Sequence, residues 1–225
     1  MIGKYIRLVF SLPKSIYINF RWLPFKKAIK FPILISFDAS LGGGGKIVLP
    51  EQVKFGMVHI GFHRVPICNP RDKTIVIVDG TLELKGRFHI GNGAKIRVTN
   101  NSTLSVGDNF GISASSAINC YNSITIGDNV LFSWDCLVMD SDTHPIFGSD
   151  SEIINKGKEI IIGEHVWVGC RSTILKGSII PDGCVIGACS LVSGTKFEPF
   201  TIITGQPAKS VKHIENWEEQ WKGFA

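Results

Sequence analysis

Residues Ile162 to Ser193 read IGEHVWVGCRSTILKGSIIPDGCVIGACSLVS, and their period is six. Aliphatic side chains fall at Ile162, Val168, Ile174, Ile180, Ile186 and Val192, and the small residues Ser172, Ser178, Cys184 and Ser190 recur four positions after them. Glycine follows the aliphatic residue at Gly163, Gly169 and Gly187, whereas Leu175, Pro181 and Ser193 take that place elsewhere. An amphipathic helix needs apolar residues three and four apart and a half-buried strand alternates strictly, so neither period accounts for this one. A short strand followed by a corner does. Each hexapeptide then forms one flat side of a coil, with its aliphatic residue pointing inward and its small residue where the chain turns close to its neighbours. Stacked coils bury a continuous column of Ile and Val and pair their backbone groups with one another, so no coil is stable alone.

Toward the N-terminus the same spacing appears at Val78, Leu84, Ile90 and Ile96, then at Val106, Ile112, Ile118 and Ile124, and after a slip of two at Ile126, Phe132 and Val138. The shifts at 96–106 and 124–126 read as corner irregularities, tolerable where the strands regain register. Between Val138 and Ile162 the ladder lapses for four sixes, and the intervening MDSDTHPIFGSDSEIINKGKEI is polar and turn-rich. It reads as a loop extruded over about 140–158, the kind of segment in which a rigid scaffold carries its function. The expected organisation is a basic aromatic segment over 1–50, a parallel β-helix over 51–205 and a tail over 206–225. In the tail, Trp217, Trp221 and Phe224 lie at i, i+4 and i+7, one face of a short C-terminal helix that caps the prism or packs on the next subunit.

The 225 residues, 44% hydrophobic and 19% charged, suffice for one substantial core, and the composition excludes a disordered or collagenous chain. No apolar run approaches the roughly 18 residues of a membrane-spanning helix. The opening MIGKYIRLVFSLPKSIY carries charge at Lys4, Arg7 and Lys14 without a small-residue cleavage site, so a cytoplasmic protein is expected. Residues 1–50 hold eight basic side chains against Asp38 alone, a net charge of +7, interleaved with Phe10, Tyr17, Phe20, Trp22, Phe25 and Phe31. We expect these aromatics to pack on the body with the lysines solvated; the other reading is peripheral association with anionic lipid at the inner face of the membrane, and no nucleic-acid partner is expected. Cys68, Cys120, Cys136, Cys170, Cys184 and Cys189 contain no C-x-x-C pair and read as reduced, mostly buried residues. Gly42–Gly45 before Lys46 lacks the Ser or Thr that a phosphate loop requires next, and reads as a flexible turn.

Three stretches carry a resemblance: ITIGDNVLFSWDCLVMDSDTHPI (Ile124–Ile146), IIIGEHVWVGCRSTILKGSIIPDGCVIGACSLVSG (Ile160–Gly194) and FEPFTIITGQPAKSVKHI (Phe197–Ile214). With IGDN, the D-x-H-P loop, VW-[IV]-G, IGA-x-S and G-x-PAK in order over about residues 76–214, the chain resembles the hexapeptide-repeat acyltransferases. Its nearest likeness is to the galactoside and maltose O-acetyltransferases and the capsule or exopolysaccharide O-acetyltransferases. The resemblance implies an all-β, left-handed parallel β-helix, a homotrimer, and acyl-CoA held in the groove between adjacent subunits. It implies an acetyl-CoA-dependent O-acetyltransferase acting on a sugar or glycan acceptor in surface polysaccharide biosynthesis, with no metal. The family's catalytic histidine falls on His144. A sugar hydroxyl is a poor nucleophile at neutral pH, and an imidazole, with an ordinary pKa of about 6.5, can take its proton as it attacks a thioester. The resemblance implies an oxyanion donor in the backbone N–H of Cys170 and donor contacts at Trp167, Ala188, Lys209 and Lys212; Asp142 is expected to orient the imidazole or to bind the substrate by orienting an acceptor hydroxyl. Ser193 and Gly194 here precede Thr195 and Lys196 where the family has Thr-Lys directly, which offsets the contact carried over to Lys196.

Other readings remain open. The chain can be a non-catalytic β-helix scaffold or assembly factor that works through its basic head. Asp140, Asp142 and His144, joined by His59 and His63, can form a metal cluster as in the gamma carbonic anhydrases, although His89, His144 and His165 lack that class's close histidine pair. The Cys170 thiol invites covalent transfer, but nothing in the sequence activates it.

Overall fold

Every aliphatic position of the hexapeptide ladder lies in a strand and is buried. The structure, a computed structural model, describes residues 2–63, 65, 66, 68–194 and 197–219. Six coils of three strands follow one another: β1 (Ile33–Ile35), β2 (Ser40–Gly42) and β3 (Lys46–Val48); β4 (Val58–His63), β5 (Ile75–Val78) and β6 (Thr81–Leu84); β7 (Phe88–Gly91), β8 (Lys95–Val98) and β9 (Thr103–Val106); β10 (Phe110–Ile112), β11 (Ala117–Cys120) and β12 (Ser123–Ile126); β13 (Leu131–Phe132), β14 (Leu137–Met139) and β15 (Ile160–Ile162); β16 (Trp167–Val168), β17 (Thr173–Leu175) and β18 (Ile179–Ile180). A seventh, partial coil contributes β19 (Val185–Ile186) and β20 (Leu191–Ser193), after which β21 (Thr201–Gly205) and β22 (Ala208–His213) form an antiparallel hairpin. Each strand pairs in parallel with its counterpart one coil on, giving three faces of a left-handed parallel β-helix: β1-β4-β7-β10-β13-β16-β19-β21-β22, β2-β5-β8-β11-β14-β17-β20, and β3-β6-β9-β12-β15-β18.

Register turns the sequence ladder into columns. On the first face Ile90, Ile112, Phe132, Val168, Ile186 and Ile203 stand one above another, and on the second Ile96, Ile118, Val138, Ile174 and Val192 do the same. Each such side chain, fully buried, contributes about 1.5–3 kcal/mol relative to exposure. Phe88 and Phe110, also in register, stack at 5.3 Å between ring centroids, and the Phe110 ring meets Phe132 of the first column edge-on at 5.5 Å. The slip between Ile124 and Ile126 is not a corner irregularity: both lie on β12 and both point inward, as alternate residues of one strand do. The 96–106 interval holds a four-residue corner, Thr99–Ser102, between β8 and β9.

Corners are built from short polar side chains. Asn109 and Asn129 take φ of 57°, a left-handed conformation that Asn tolerates, at successive corners between the third and first faces. The Asp before each Asn reaches back one coil: Asp108 accepts the Arg87 N–H at 2.6 Å and Asp128 accepts the Asp108 N–H at 2.6 Å. That backbone donation from Arg87 holds the Asp108 carboxyl below its ordinary pKa. The G-D-N motif is therefore corner architecture. Of the four glycines, Gly42 ends β2 and Gly43–Gly45 form the corner, a tight one: a Cβ on Gly43 would stand 2.1 Å from the Val78 carbonyl oxygen. Cys120, Cys136 and Cys184 are buried in the core, where burial pushes the first two thiols up to about 12 and about 11.

The prism begins earlier than the expected boundary at 51, because residues 33–48 already form its first coil. Ahead of them, α1 (Ile2–Trp22) lies against the free edge of β1, followed by α2 (Phe25–Ala28). The Ile33 N–H donates to Asn19 Oδ1 at 3.1 Å and Asn19 Nδ2 donates to the Ile33 carbonyl at 2.7 Å; the Ile35 N–H donates to Ser15 Oγ and the Phe37 N–H to Ser11 Oγ. Arg7 bridges Ser36, Asp38 and the Gly61 carbonyl. The expected packing of aromatics on the body holds for Trp22, which packs against the core beside the buried Ile18, and is overturned for Phe10, Tyr17 and Phe20, which are exposed; the stripe of α1 turned to β1 is polar, because an open strand edge needs hydrogen-bond partners more than it needs apolar contact. The helix expected from Trp217 falls mostly on residues outside the described ones, and 214–219 are not helical.

Asn19→Leu would raise the apolar content of α1 yet leave both polar groups of Ile33 unpaired. It is expected to destabilise the protein by about 1–3 kcal/mol, read as a lower urea midpoint at unchanged slope. An unchanged midpoint would mean that the β1 edge is satisfied by other groups.

Candidate functional site

The extruded segment leaves the prism between β14 and β15, at the corner joining the second and third faces. Two short arms run antiparallel within it, with the Ile154 N–H donating to the Ile146 carbonyl and the Gly148 N–H to that of Glu152. Asn155 ties the base together. Its Oδ1 accepts the Ile146 N–H at 2.7 Å, and its Nδ2 donates to Asp142 Oδ2 and to the His144 carbonyl, each at 2.9 Å. Lys176, at the corner one coil on, donates to Asp142 Oδ2 and to the Asn155 carbonyl. The hydrogen bonds from Lys176 and Asn155 hold the Asp142 carboxyl below the usual carboxylate range. The His144 N–H closes a turn on the Asp142 carbonyl at 2.8 Å, after Thr143 at φ 64°. A β-branched residue in that region is strained and persists only where its surroundings over-determine it. The outcome is a pinned loop that presents the His144 imidazole outward, exposed.

Asp140 and Asp142 do not join His144 as a ligand cluster. The buried Asp140 carboxylate accepts the N–H groups of Tyr121 and Asn122, both at 2.7 Å, which ties it to the corner of the preceding coil. A close histidine pair does exist in space: His59 and His89, outward neighbours on β4 and β7, stack at 4.9 Å beside a cleft of about 610 Å³ that His63, Phe55 and Phe62 also line. Burial, Arg87 and His63 together lower the His89 pKa. Among the described residues no three His, Cys, Asp or Glu side chains gather as a metal site.

A second constellation occupies the corner between the first and second faces. Cys170 and Ala188 sit one coil apart there, with the Cys189 N–H donating to the Cys170 carbonyl at 2.9 Å. Among the described residues the Cys170 N–H meets no acceptor. Trp167, outward on β16, donates its indole N–H to Ser133 Oγ at 3.1 Å and lies 6.1 Å from the ring of Trp217, which stacks on His165 at 4.4 Å. Above Ala188 the β21–β22 hairpin carries Lys209, opposite Thr204, and Lys212, opposite Ile202, both exposed. Lys196 lies outside the described residues. Trp167, Cys170, Ala188 and Lys209 thus share one side of the prism, while His144 and Asp142 stand at another corner of the same chain.

Asn155 and Lys176 escape a reading by spacing. They lie 13 and 34 residues from Asp142, and only stacking of the sixth coil on the fifth brings Lys176 to the loop.

Asn155→Ala should speed amide hydrogen exchange at Ile146 while leaving the global unfolding midpoint nearly unchanged, since the loop is exposed. Because the Asp142 pKa is depressed on folding, the clamp's contribution is fully present above the ordinary carboxylate value of about 3.9 and is lost as pH falls through the lower folded value. Proteolytic nicking of the loop should therefore be constant from neutral pH down to about 4. A rise already at pH 5–6 would mean that another group holds the loop.

Comparison with known proteins bears on the repeat and the fold. The family model for bacterial transferase hexapeptide (six repeats) matches residues 159–194. A probable acetyltransferase of Mycobacterium tuberculosis is 32% identical over 184 residues, covering 77% of this chain; the chain spans 56% of that relative's length. The putative lipopolysaccharide biosynthesis O-acetyl transferase WbbJ of Escherichia coli is 27% identical over 154 residues, covering 64% of this chain and 78% of the relative. Among solved structures, the polySia-specific acetyltransferase NeuO superposes with a TM-score of 0.61 at 25% identity, covering 86% of this chain and 82% of its own. The chain therefore carries the bacterial transferase hexapeptide repeat and is similar over most of its length to proteins named as acetyltransferases.

Proposed function

We propose that the chain is an acetyl-CoA-dependent O-acetyltransferase that modifies a sugar hydroxyl of a surface polysaccharide or its precursor, with His144 as general base. The observation that carries this reading is the pinned loop: Asn155, Asp142 and Lys176 fix the backbone on either side of an exposed imidazole. A fixed base near a substrate site converts a bimolecular encounter into an oriented one. The relatives' names, a lipopolysaccharide O-acetyl transferase and a polySia-specific acetyltransferase, favour a glycan acceptor.

In the proposed reaction the imidazole takes the acceptor's hydroxyl proton while that oxygen attacks the thioester carbonyl of acetyl-CoA. The Cys170 N–H stabilises the oxyanion that forms. Collapse breaks the carbon–sulfur bond, the acetyl group remains on the sugar oxygen, and the imidazolium returns its proton to the departing CoA thiolate. Asp142 is a positioning residue, engaged with Lys176 and Asn155. The donor's extended arm suits the corner column at Cys170 and Ala188, Trp167 offers a flat ring beside it, and Lys209 and Lys212 offer cations to its phosphates. Lys196 joins this set by resemblance alone.

Because His144 and the Cys170–Ala188 column stand at different corners of one chain, the reading calls for a homotrimer in which the base of one copy faces the donor groove of the next. Two experiments test it. His144→Ala should lower transfer by about 10²–10⁴-fold, while acetyl-CoA still raises the unfolding midpoint as it does for the unaltered protein. Loss of both together would make His144 structural. Mixing the His144→Ala and Trp167→Ala proteins through a cycle of unfolding and refolding should restore activity above either alone, and no recovery would place the whole site within one chain.

A further inference from the structure

The helix α1 is built inside out. Its buried side is Ser11, Ser15 and Asn19, bonded to β1 and to Phe37 just beyond it, with one apolar residue, Ile18, beside them, while its outward residues are Val9, Phe10, Leu12, Ile16, Tyr17 and Phe20. Beyond the helix end, Phe25 and Ile29 extend this apolar surface. Phe10, Tyr17 and Phe25 are 68%, 64% and 70% exposed. Scattered apolar residues on a protein surface need no explanation, but a contiguous aromatic and aliphatic face does. The edge of β1 has claimed the polar face of the helix, so the apolar face is left outward with nothing of this chain covering it among the described residues.

The charge beside that face says what covers it. Arg21, Lys26 and Lys30 are exposed around its C-terminal end, and no Asp or Glu occurs before Asp38. Arg7 and Lys14 are turned inward to Asp38 and to the Phe37 carbonyl. Among the described residues no helix is long and apolar enough to cross a membrane. An apolar aromatic face with cations at its end, too short of hydropathy to span, is the pattern of a helix that lies in the plane of a lipid interface. Its aromatic rings then sit at the headgroup level and its cations meet anionic lipid. A second copy docked through the same face by a two-fold axis would instead set these cations against their like.

We propose that the outer face of α1 and α2 docks the protein on an anionic lipid surface. The inference is independent of the transferase chemistry, since none of these residues belongs to the proposed site. The test is sedimentation of the full chain with phosphatidylcholine vesicles that contain or lack phosphatidylglycerol. The protein is expected to sediment with the anionic vesicles alone and to be released by about 1 M salt, where the Debye length falls to about 3 Å. The F10E/F25E variant should lose binding, and K26E/K30E should weaken it by at least about thirtyfold, roughly fivefold for each cation removed. These four side chains are exposed, so both variants should keep the unaltered unfolding midpoint; if F10E/F25E does not, K26E/K30E decides. Equal partition onto the two vesicle types, or full binding by K26E/K30E, overturns the proposal. So does an F10E/F25E variant that sediments normally but loses oligomer mass by light scattering, which would make the face a subunit contact.

Discussion

The parallel ladder between coils is the constraint on which the rest of this molecule depends. Each coil satisfies the backbone of the next and receives its inward side chains in register, so the prism grows by repetition and has only two ends to solve. At the distal end the chain solves the problem with the β21–β22 hairpin, turning an open edge into an antiparallel pair. At the proximal end it uses a helix, and the edge of β1 dictates which face of that helix turns inward. Three short polar side chains spaced four apart meet the alternate residues Ile33, Ile35 and Phe37 along β1 and the chain just beyond it, because a helix turn and two strand residues advance by similar lengths.

That solution couples stability to surface chemistry. A helix usually buries its apolar stripe, and α1 cannot do so while its polar stripe serves the β1 edge. The aromatic face is thus a structural consequence of capping, whatever meets it. The extruded loop follows a similar logic on a smaller scale. It carries almost no core of its own, so Asn155 and Lys176 hold it by directed hydrogen bonds, one from within the loop and one from the coil stacked upon it.

The repeat was legible because burial imposes a strict period: Ile162 to Val192 mark the prism's inner wall as plainly in sequence as in space. The apparent slip at Ile124 and Ile126 misled because a coil side can turn two alternate residues inward as readily as one. Asp140 looked like part of the Asp142–His144 group for want of any local sign that its carboxylate is occupied by the Tyr121 and Asn122 N–H groups. His59 and His89, thirty residues apart, become neighbours only because one coil separates them.

The sequence by itself determined the β-helix, the position of the extruded loop and the residues at the corners, since each follows from a period that packing enforces at every turn. Tertiary structure alone decided that the prism starts at Ile33, that α1 faces its apolar side outward, that Lys176 and Asn155 clamp Asp142, and that His144 stands at a different corner from Cys170. Those features depend on which edge, coil or corner a segment meets, and such meetings join residues too far apart in the chain for any local pattern to record.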